Sequence, residues 1–147
     1  MLTRLLISLL ILPLAAAAAT AVGPEMAAGF ILIGNRTGLE SPNEAAVRSI
    51  FRGEQAIWPN RETVVVVLPS ARAEFSESFA RNVLDLSRTA MQRYWLALVF
   101  QGRARPPVFL NTAGEIIAYV RSTPGAIAMV PTGTPGIPAD LLIPARR

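Results

Sequence analysis

Thr63 to Leu68 reads TVVVVL, and its four consecutive valines decide the fold of the chain. β-branched side chains are stiff at χ1 and pack well on a pleated surface, so the run predicts a β-strand. No polar residue alternates with the valines, which indicates that both faces of this strand are buried. A strand covered on both faces needs helices on each side, and the run therefore predicts an α/β fold.

Shorter apolar runs predict further strands of the same sheet. Phe30 to Gly34 reads FILIG, and Ala126 to Val130 reads AIAMV, and neither run contains a charged residue. Val108 to Leu110 predicts a short additional strand. The segments between these runs carry helical patterns, so strands are expected to alternate with helices. We therefore predict one domain, a three-layer α/β sandwich around a mostly parallel sheet.

The predicted helices begin at recognisable cap residues. Ser41, with Pro42 directly after it and Glu44 three residues later, predicts the start of the first helix. Ser87 and Asn111 are predicted caps of two later helices. Another helix is predicted between the valine-rich strand and Ser87. Its apolar face consists of Phe75, Phe79, Val83 and Leu86.

The residue types that are missing from the chain exclude most enzyme classes. Its 147 residues contain no Cys and no His, and all 14 basic residues are Arg. Thiolate nucleophiles, imidazole bases, Schiff-base lysines and most zinc sites are therefore excluded. We expect a binding or structural protein that is not an enzyme and that uses no metal or cofactor. The formal charge of +4 comes from scattered arginines, which do not form the basic stripe of a nucleic-acid-binding protein.

The first residues have the pattern of a secretory signal peptide, predicted over residues 1–19. A positively charged start is followed by an apolar run from Leu5 to Leu14 and by small residues from Ala15 to Ala19. Cleavage there leaves a domain over residues 20–131 and an irregular tail, rich in Pro and Gly, over residues 132–147. An uncleaved anchor remains the alternative, because the apolar stretch approaches the length that spans a bilayer. Export of a chain without Cys indicates a periplasmic location.

Polar residues after the valine-rich strand form the first candidate anion site. Ser70, Arg72 and Ser76 lie at the predicted start of a helix, where free N–H groups and the helix dipole attract anions. Glu74 and Glu77 would repel an anion at the same place. A plain strand–loop–helix connection with an exposed arginine therefore remains the alternative.

Asn35, Arg36 and Thr37 follow the first strand and are the second group of candidate ligand-binding residues. Ligands of open α/β sheets bind at the carboxyl ends of strands, so the loops that carry Arg36 and Arg72 are expected to converge on one anion. An ordinary solvated loop remains the alternative.

Aromatic residues in the second half of the chain are interpreted as core. They are Tyr94, Trp95, Phe100 and Phe109. Arg103 to Pro107 is a small basic segment that is interpreted as a solvated loop. Contact of this loop with a partner protein remains the alternative.

Several short motifs occur in an order that is typical of one known family. They read VRSIFRG at 47–53, WPN at 58–60, FARNVL at 79–84, YW at 94–95 followed by FQG at 100–102 and PP at 106–107, and VRSTPGAIAMV at 120–130. This series resembles the phosphate-binding-protein-like domains, the periplasmic substrate-binding components of phosphate ABC transporters and their short relatives. The resemblance covers nearly the whole chain after the predicted signal peptide.

The resemblance implies one lobe of a type II periplasmic binding protein. Full members have two lobes that close on the anion, and this chain has the length for about one. Phosphate or a similar small oxyanion is then the implied ligand, and a membrane permease or sensor protein the implied partner. Two departures weaken the implied anion site. The family's Ser-Gly-Thr turn is replaced by RAEFS at 72–76, and its terminal GYV by Ala128 to Val130.

Two functions from different classes remain open. The first is an exported solute-binding-protein-like domain that holds phosphate or a similar anion for ABC transport or sensing. The second is a periplasmic interaction module without a ligand that docks to a membrane sensor or transporter subunit. The missing Ser-Gly-Thr turn and the acidic residues beside Arg72 favour the second function.

Overall fold

The computed structural model describes residues 25–26 and 29–146, so the predicted signal peptide lies outside the described residues. The strands are β1 (Glu25–Met26), β2 (Phe30–Gly34), β3 (Val65–Pro69), β4 (Val108–Leu110) and β5 (Ala126–Pro131). The helices are α1 (Glu44–Phe51), α2 (Ser76–Leu84), α3 (Arg88–Phe100) and α4 (Ala113–Ser122), and a 3-10 helix spans Ala139–Leu141. The predicted α/β fold is confirmed, and each predicted strand is present.

The strands form one five-stranded sheet in the order β1-β2-β5-β3-β4. β3 runs parallel to β5 and to β4, whereas β2 runs antiparallel to β5, and β1 antiparallel to β2. The prediction of a mostly parallel sheet is therefore wrong, because β2 enters the sheet in the opposite direction from the later strands. This reversal places the last residue of β2 and the last residue of β3 at opposite ends of the sheet.

Helices cover both faces of the sheet, as the uninterrupted valine run predicts. On β5, Ile127 and Met129 belong to a core with α1, α2 and α3, and the alternating residues belong to a second core with α4. Apolar side chains of the first three helices fill the first core, and Phe51, Phe79 and Met91 are completely buried. The result is three layers, with the sheet in the middle.

Side-chain caps set the helix starts, and two of them differ from the predictions. The side chain of Asn43 caps α1 by accepting the backbone N–H three residues later at 2.9 Å, so the predicted cap at Ser41 is wrong. Thr112 caps α4 in the same way at 3.1 Å, and Asn111 does not. In both cases a second cap-forming residue stands closer to the first free N–H groups. The predicted cap Ser87 is confirmed, at 3.1 Å.

The segment 132–146 packs back on the sandwich. Leu141 and Ile143 are buried, one in each core. The N–H of Ile143 donates to the carbonyl oxygen of Leu32 at 3.1 Å. Apart from the 3-10 helix, this segment has no helix or strand of its own, yet it belongs to the same folded unit as the sheet.

Gly125 joins three segments of the chain at the start of β5. Its N–H donates to the carbonyl oxygen of Asn35 at 2.7 Å, and its carbonyl oxygen accepts the N–H of Val65 at 3.0 Å and the indole N–H of Trp58 at 2.8 Å. Its φ is +80°, and a Cβ at this position would collide with the carbonyl oxygen of Thr63. Both the backbone conformation and the space therefore require glycine.

No helix of residues 25–26 and 29–146 is long and apolar enough to cross a bilayer. In the same residues, no group of three acidic side chains is placed to hold a metal ion.

Candidate functional site

The loop after β2 is held by hydrogen bonds that serve the fold. The side-chain amide of Asn35 donates to two carbonyl oxygens at the end of α4, at 2.9 and 3.0 Å. The hydroxyl of the buried residue Thr37 accepts the backbone N–H two residues later at 3.2 Å. Arg36 is exposed with a φ of +53°, and its carbonyl oxygen accepts the side-chain amide of Asn60 at 2.6 Å. The backbone or side chain of each candidate residue thus forms a hydrogen bond that stabilises this loop.

The second group of candidates, Ser70, Arg72 and Ser76, lies at the other end of the sheet. β2 ends where Gly34 pairs with Ile127, near the start of β5, whereas β3 runs in the direction of β5 and ends beyond that pairing. Gly34 lies level with Ile127 and Pro69 level with Val130, so the two ends are about 10 Å apart along β5. The predicted convergence of Arg36 and Arg72 on one anion is therefore wrong, because it assumed that β2 and β3 are parallel.

The loop between β3 and α2 is closed by its own hydrogen bonds. The hydroxyl of Ser70 donates to the side-chain oxygen of Asn111 at 2.5 Å and accepts the N–H of Arg72 at 3.1 Å. The guanidinium of Arg72 is exposed and has no hydrogen bond or ion pair with a described residue. Ser76 is completely buried, and its hydroxyl has no hydrogen-bond partner among the described residues. A ligand would reach Ser76 only after the start of α2 opened.

Phe75, the residue before α2, occupies the place where an anion is expected. Its side chain packs against the cores on both faces, so it lies across the end of the sheet. Its ring centroid is 6.3 Å from that of Phe30. The crevice at the carboxyl ends of the strands is the usual ligand position in such sheets, and here a phenyl ring without hydrogen-bond donors fills it.

The carboxylate of Glu77 adds negative charge to the same helix start. It accepts the backbone N–H of Arg88 and the guanidinium Nε of Arg81, each at 3.0 Å. The N–H of Arg88, followed by the bond from Arg81, holds the pKa of the Glu77 carboxyl below its ordinary value. Glu77 is therefore ionised at neutral pH, which disfavours a bound anion at the start of α2.

An apolar cleft of about 510 Å³ opens beside the β3–α2 loop, between α3 and β4. We call it the α3–β4 cleft. Its walls are formed mainly by Trp95, Leu96, Val99, Pro106, Pro107 and Phe109, and Ser70 and Gln92 supply its polar atoms. Leu96 is 59% exposed and Phe109 is 40% exposed. The cleft therefore offers solvent a concave and mostly apolar surface.

α3 builds this cleft because the helix is apolar on two faces. Its inner face consists of Met91, Trp95 and Leu98. Leu96 and Val99 lie one residue further along and line the cleft, together with the aromatic edge of the inner face. Phe100, in the last turn, is 83% exposed. The second half of α3 therefore carries apolar side chains outside its inner face, and Leu96 and Phe100 remain exposed.

Arginines lie near the α3–β4 cleft, although none of them lines it. Near the start of α3, the guanidinium of Arg88 donates to the carbonyl oxygen of Ala71 at 3.2 Å. Beyond the end of α3, Arg103 and Arg105 are exposed, and neither forms an ion pair with a described residue. No acidic residue lines the cleft. The lining of the cleft is thus mostly apolar, and Arg103 and Arg105 line a neighbouring pocket that shares Trp95 and Pro106 with it.

The cleft was not predicted from the sequence. Phe100 and Phe109 were expected in the core, and this expectation is wrong because both side chains are exposed. Trp95 is buried as predicted, and the partly buried Tyr94 donates its hydroxyl to the carbonyl oxygen of Arg52 at 2.7 Å. The second apolar stripe of α3, offset by one residue from the first, is the pattern that indicates such a surface.

The fold is similar to that of an ABC-type phosphate transport receptor from Vibrio cholerae, with a TM-score of 0.51. The similarity covers 80% of this chain and 46% of the receptor chain, so this chain spans about half the length of that receptor. The two sequences are 13% identical, and the likeness therefore shows the fold alone. No protein-family model matches the sequence, and no curated protein is detectably similar to it. The chain thus has a fold distantly like that of a solute-binding receptor.

Proposed function

We propose that this protein is a docking module, in which the α3–β4 cleft binds a segment of another protein. One observation carries the proposal: Leu96 and Phe109 line the cleft, and both side chains are exposed to solvent. A bound segment would cover this apolar surface. Contiguous apolar surface of this kind is typical of interaction sites. At the start of α2, in contrast, the ring of Phe75 packs against both cores, and the ionised carboxylate of Glu77 disfavours an anion.

The lining of the cleft determines the chemistry of the partner. Apolar side chains of the partner would bury the exposed faces of Leu96, Val99 and Phe109, which supplies most of the binding free energy. Acidic side chains beside them would pair with Arg103 and Arg105, which lack a described ionic partner. Such pairs set the orientation and the rate of association more than the affinity. The partner is thus a polypeptide segment with an apolar centre and acidic flanks.

The setting of this function follows from the sequence and from the fold. The predicted signal peptide supports a periplasmic location, and the likeness to a transport receptor supports a membrane sensor or transporter subunit as the partner. Docking needs no nucleophile and no base, in keeping with the absence of Cys, His and Lys.

A panel of nine-residue peptides tests the docking function. Each peptide has five apolar residues between two glutamates at either end, and calorimetry measures its binding to the full chain. We expect micromolar binding of several members, and Leu96→Ser should weaken it about tenfold because an apolar contact in the cleft is lost. Ile57→Ser is the matched control, since Ile57 is 55% exposed but does not line the cleft, and it should change the affinity less than twofold. Failure of every peptide to bind would refute the proposal.

Binding of an inorganic anion is the second candidate function. The fold similarity to a phosphate transport receptor supports it, as do the unpaired guanidinium of Arg72 and the unpartnered hydroxyl of Ser76. Calorimetry with inorganic phosphate and sulfate decides the matter. If the start of α2 binds an anion, we expect a Kd below about 1 mM, and Arg72→Gln should raise this Kd at least tenfold. Arg36→Gln, at the other end of the sheet, is the control and should leave the Kd unchanged. The docking function predicts no heat with either anion.

A further inference from the structure

We infer that the partner segment binds as an added strand along β4 and places an apolar side chain in the α3–β4 cleft. This inference rests on the proposed docking function and states how the segment is recognised. Strand addition to an exposed sheet edge combines main-chain hydrogen bonds with a pocket for alternate side chains. Both elements occur here at the same place, because the strand that forms the edge also lines the cleft.

β4 is the outermost strand of the sheet on its side and pairs with β3 alone. The carbonyl oxygen of Leu110 accepts the N–H of Ser70 at 2.8 Å, so the main-chain groups of Leu110 face β3. Successive residues of a strand direct these groups to opposite sides. The N–H and the carbonyl oxygen of Phe109 therefore point away from the sheet, and they supply one donor and one acceptor to an incoming strand.

The side chains around this edge permit an incoming strand. Proteins protect edge strands with lysines, inward charges, prolines or a covering loop. β4 reads VFL and carries no charge, and Pro106 and Pro107 precede it without replacing the outward N–H of Phe109. Nothing that pairs with the outer side of β4 occurs among the described residues. The edge is therefore open, although it is short.

Charge indicates the chemistry of the incoming segment. Arg103 and Arg105 lie just before the edge strand, are exposed, and have no described ionic partner. Residues 103–110 contain two arginines and no acidic residue, so the same segment of a second copy offers these arginines no partner. An acidic segment of another protein does, and opposite charges across an interface favour association.

Hydrogen exchange at one amide tests the inferred mode directly. The free Phe109 N–H should exchange rapidly in the full chain, and the N–H of Leu110, which faces β3, should exchange slowly. Adding a saturating amount of the tightest peptide of the panel should slow the exchange at Phe109 at least tenfold, as measured by amide NMR. Peptide binding without protection of Phe109 would overturn strand addition and leave the docking function intact. Absence of any binding would instead overturn the docking function itself.

Two substitutions separate the main-chain contact from the side-chain contact. Phe109→Ala removes the phenyl ring and keeps the N–H, whereas Phe109→Pro removes both. Proline is tolerated at an edge position whose N–H faces solvent, so the pairing of β4 with β3 should persist, and near-UV circular dichroism checks this. Strand addition predicts that the proline variant binds the peptide about fivefold more weakly than the alanine variant. Equal affinities of two folded variants would contradict the inference.

The charge of the flanks gives the remaining readout. A peptide with the same apolar core and two lysines at either end should bind at least tenfold more weakly than its glutamate twin at low salt. The difference should shrink at 0.5 M NaCl, because salt screens exposed charges. Equal binding of both peptides at low salt would contradict the role that is inferred for Arg103 and Arg105.

Discussion

Gly125→Ala is expected to leave the protein largely unfolded at 25 °C. The added Cβ would collide with the backbone oxygen of Thr63, which cannot rotate away as a flexible side chain would. A φ of +80° is also strained for alanine, at about 1 kcal/mol. Movement of Gly125 would break its hydrogen bonds to Trp58 and Val65 and leave a buried indole N–H unpaired. We expect a loss above about 4 kcal/mol, which is comparable with the whole stability of a small domain.

Gly133→Ala is the matched control for this substitution. Gly133 has a similar φ of +87°, but a Cβ there meets no atom within 4 Å. Only the backbone strain should remain, which costs about 1 kcal/mol. Chemical denaturation of both variants measures the difference. Similar losses for the two variants would show that strain, and not the collision with Thr63, accounts for the effect at Gly125.

Phe79→Ala is expected to lower the free energy of unfolding by about 3–5 kcal/mol. Phe79 is completely buried and contacts Phe30 and Phe51 edge to face, with ring centroids at 5.9 and 5.6 Å. Phe79 thus joins α2 to β2 and α1. Its removal leaves a cavity that these three elements cannot fill by moving together. Urea denaturation followed by circular dichroism gives the loss.

Phe100→Ala provides the control for the removal of a phenyl ring. Phe100 is 83% exposed at the end of α3, so its loss should change the free energy of unfolding by less than about 0.5 kcal/mol. A large destabilisation would show that Phe100 packs against a part of the protein outside the described residues. Comparison of the two variants therefore separates the contribution of a buried phenyl ring to the free energy of unfolding from that of an exposed ring.

The strands and most of the helices were predictable because their patterns are local. The valine run, the FILIG run and the Ser87 cap depend on residues that are close in sequence, and the structure confirms them. The direction of β2 was not predictable in this way. It depends on which strand becomes its neighbour, and that neighbour, β5, lies about a hundred residues later in the chain.

The predicted convergence of the two candidate loops is wrong for the same reason. Arg36 and Arg72 each follow a strand, but only the pairing of those strands decides whether the two loops meet. Ser70 and Asn35 look like ligand-binding residues in the sequence, because the same polar groups that bind a ligand also close turns and helix ends. The exposed face of α3 is visible only once the inner face has been identified. The residues on both of these faces of α3 are apolar, so composition alone does not distinguish the exposed face from the buried one.

The order of the strands in the sheet has a consequence for synthesis of the chain. β5 is the last strand in the sequence, yet it lies between β2 and β3 in the centre of the sheet. β1 can pair with β2, and β4 with β3, before then, but the two halves of the sheet have no strand that joins them until residues 126–131 have left the ribosome. Contacts between such distant residues close long loops and form slowly. The nascent chain therefore stays without its central strand until β5 has been made, and only then can the two halves of the sheet join.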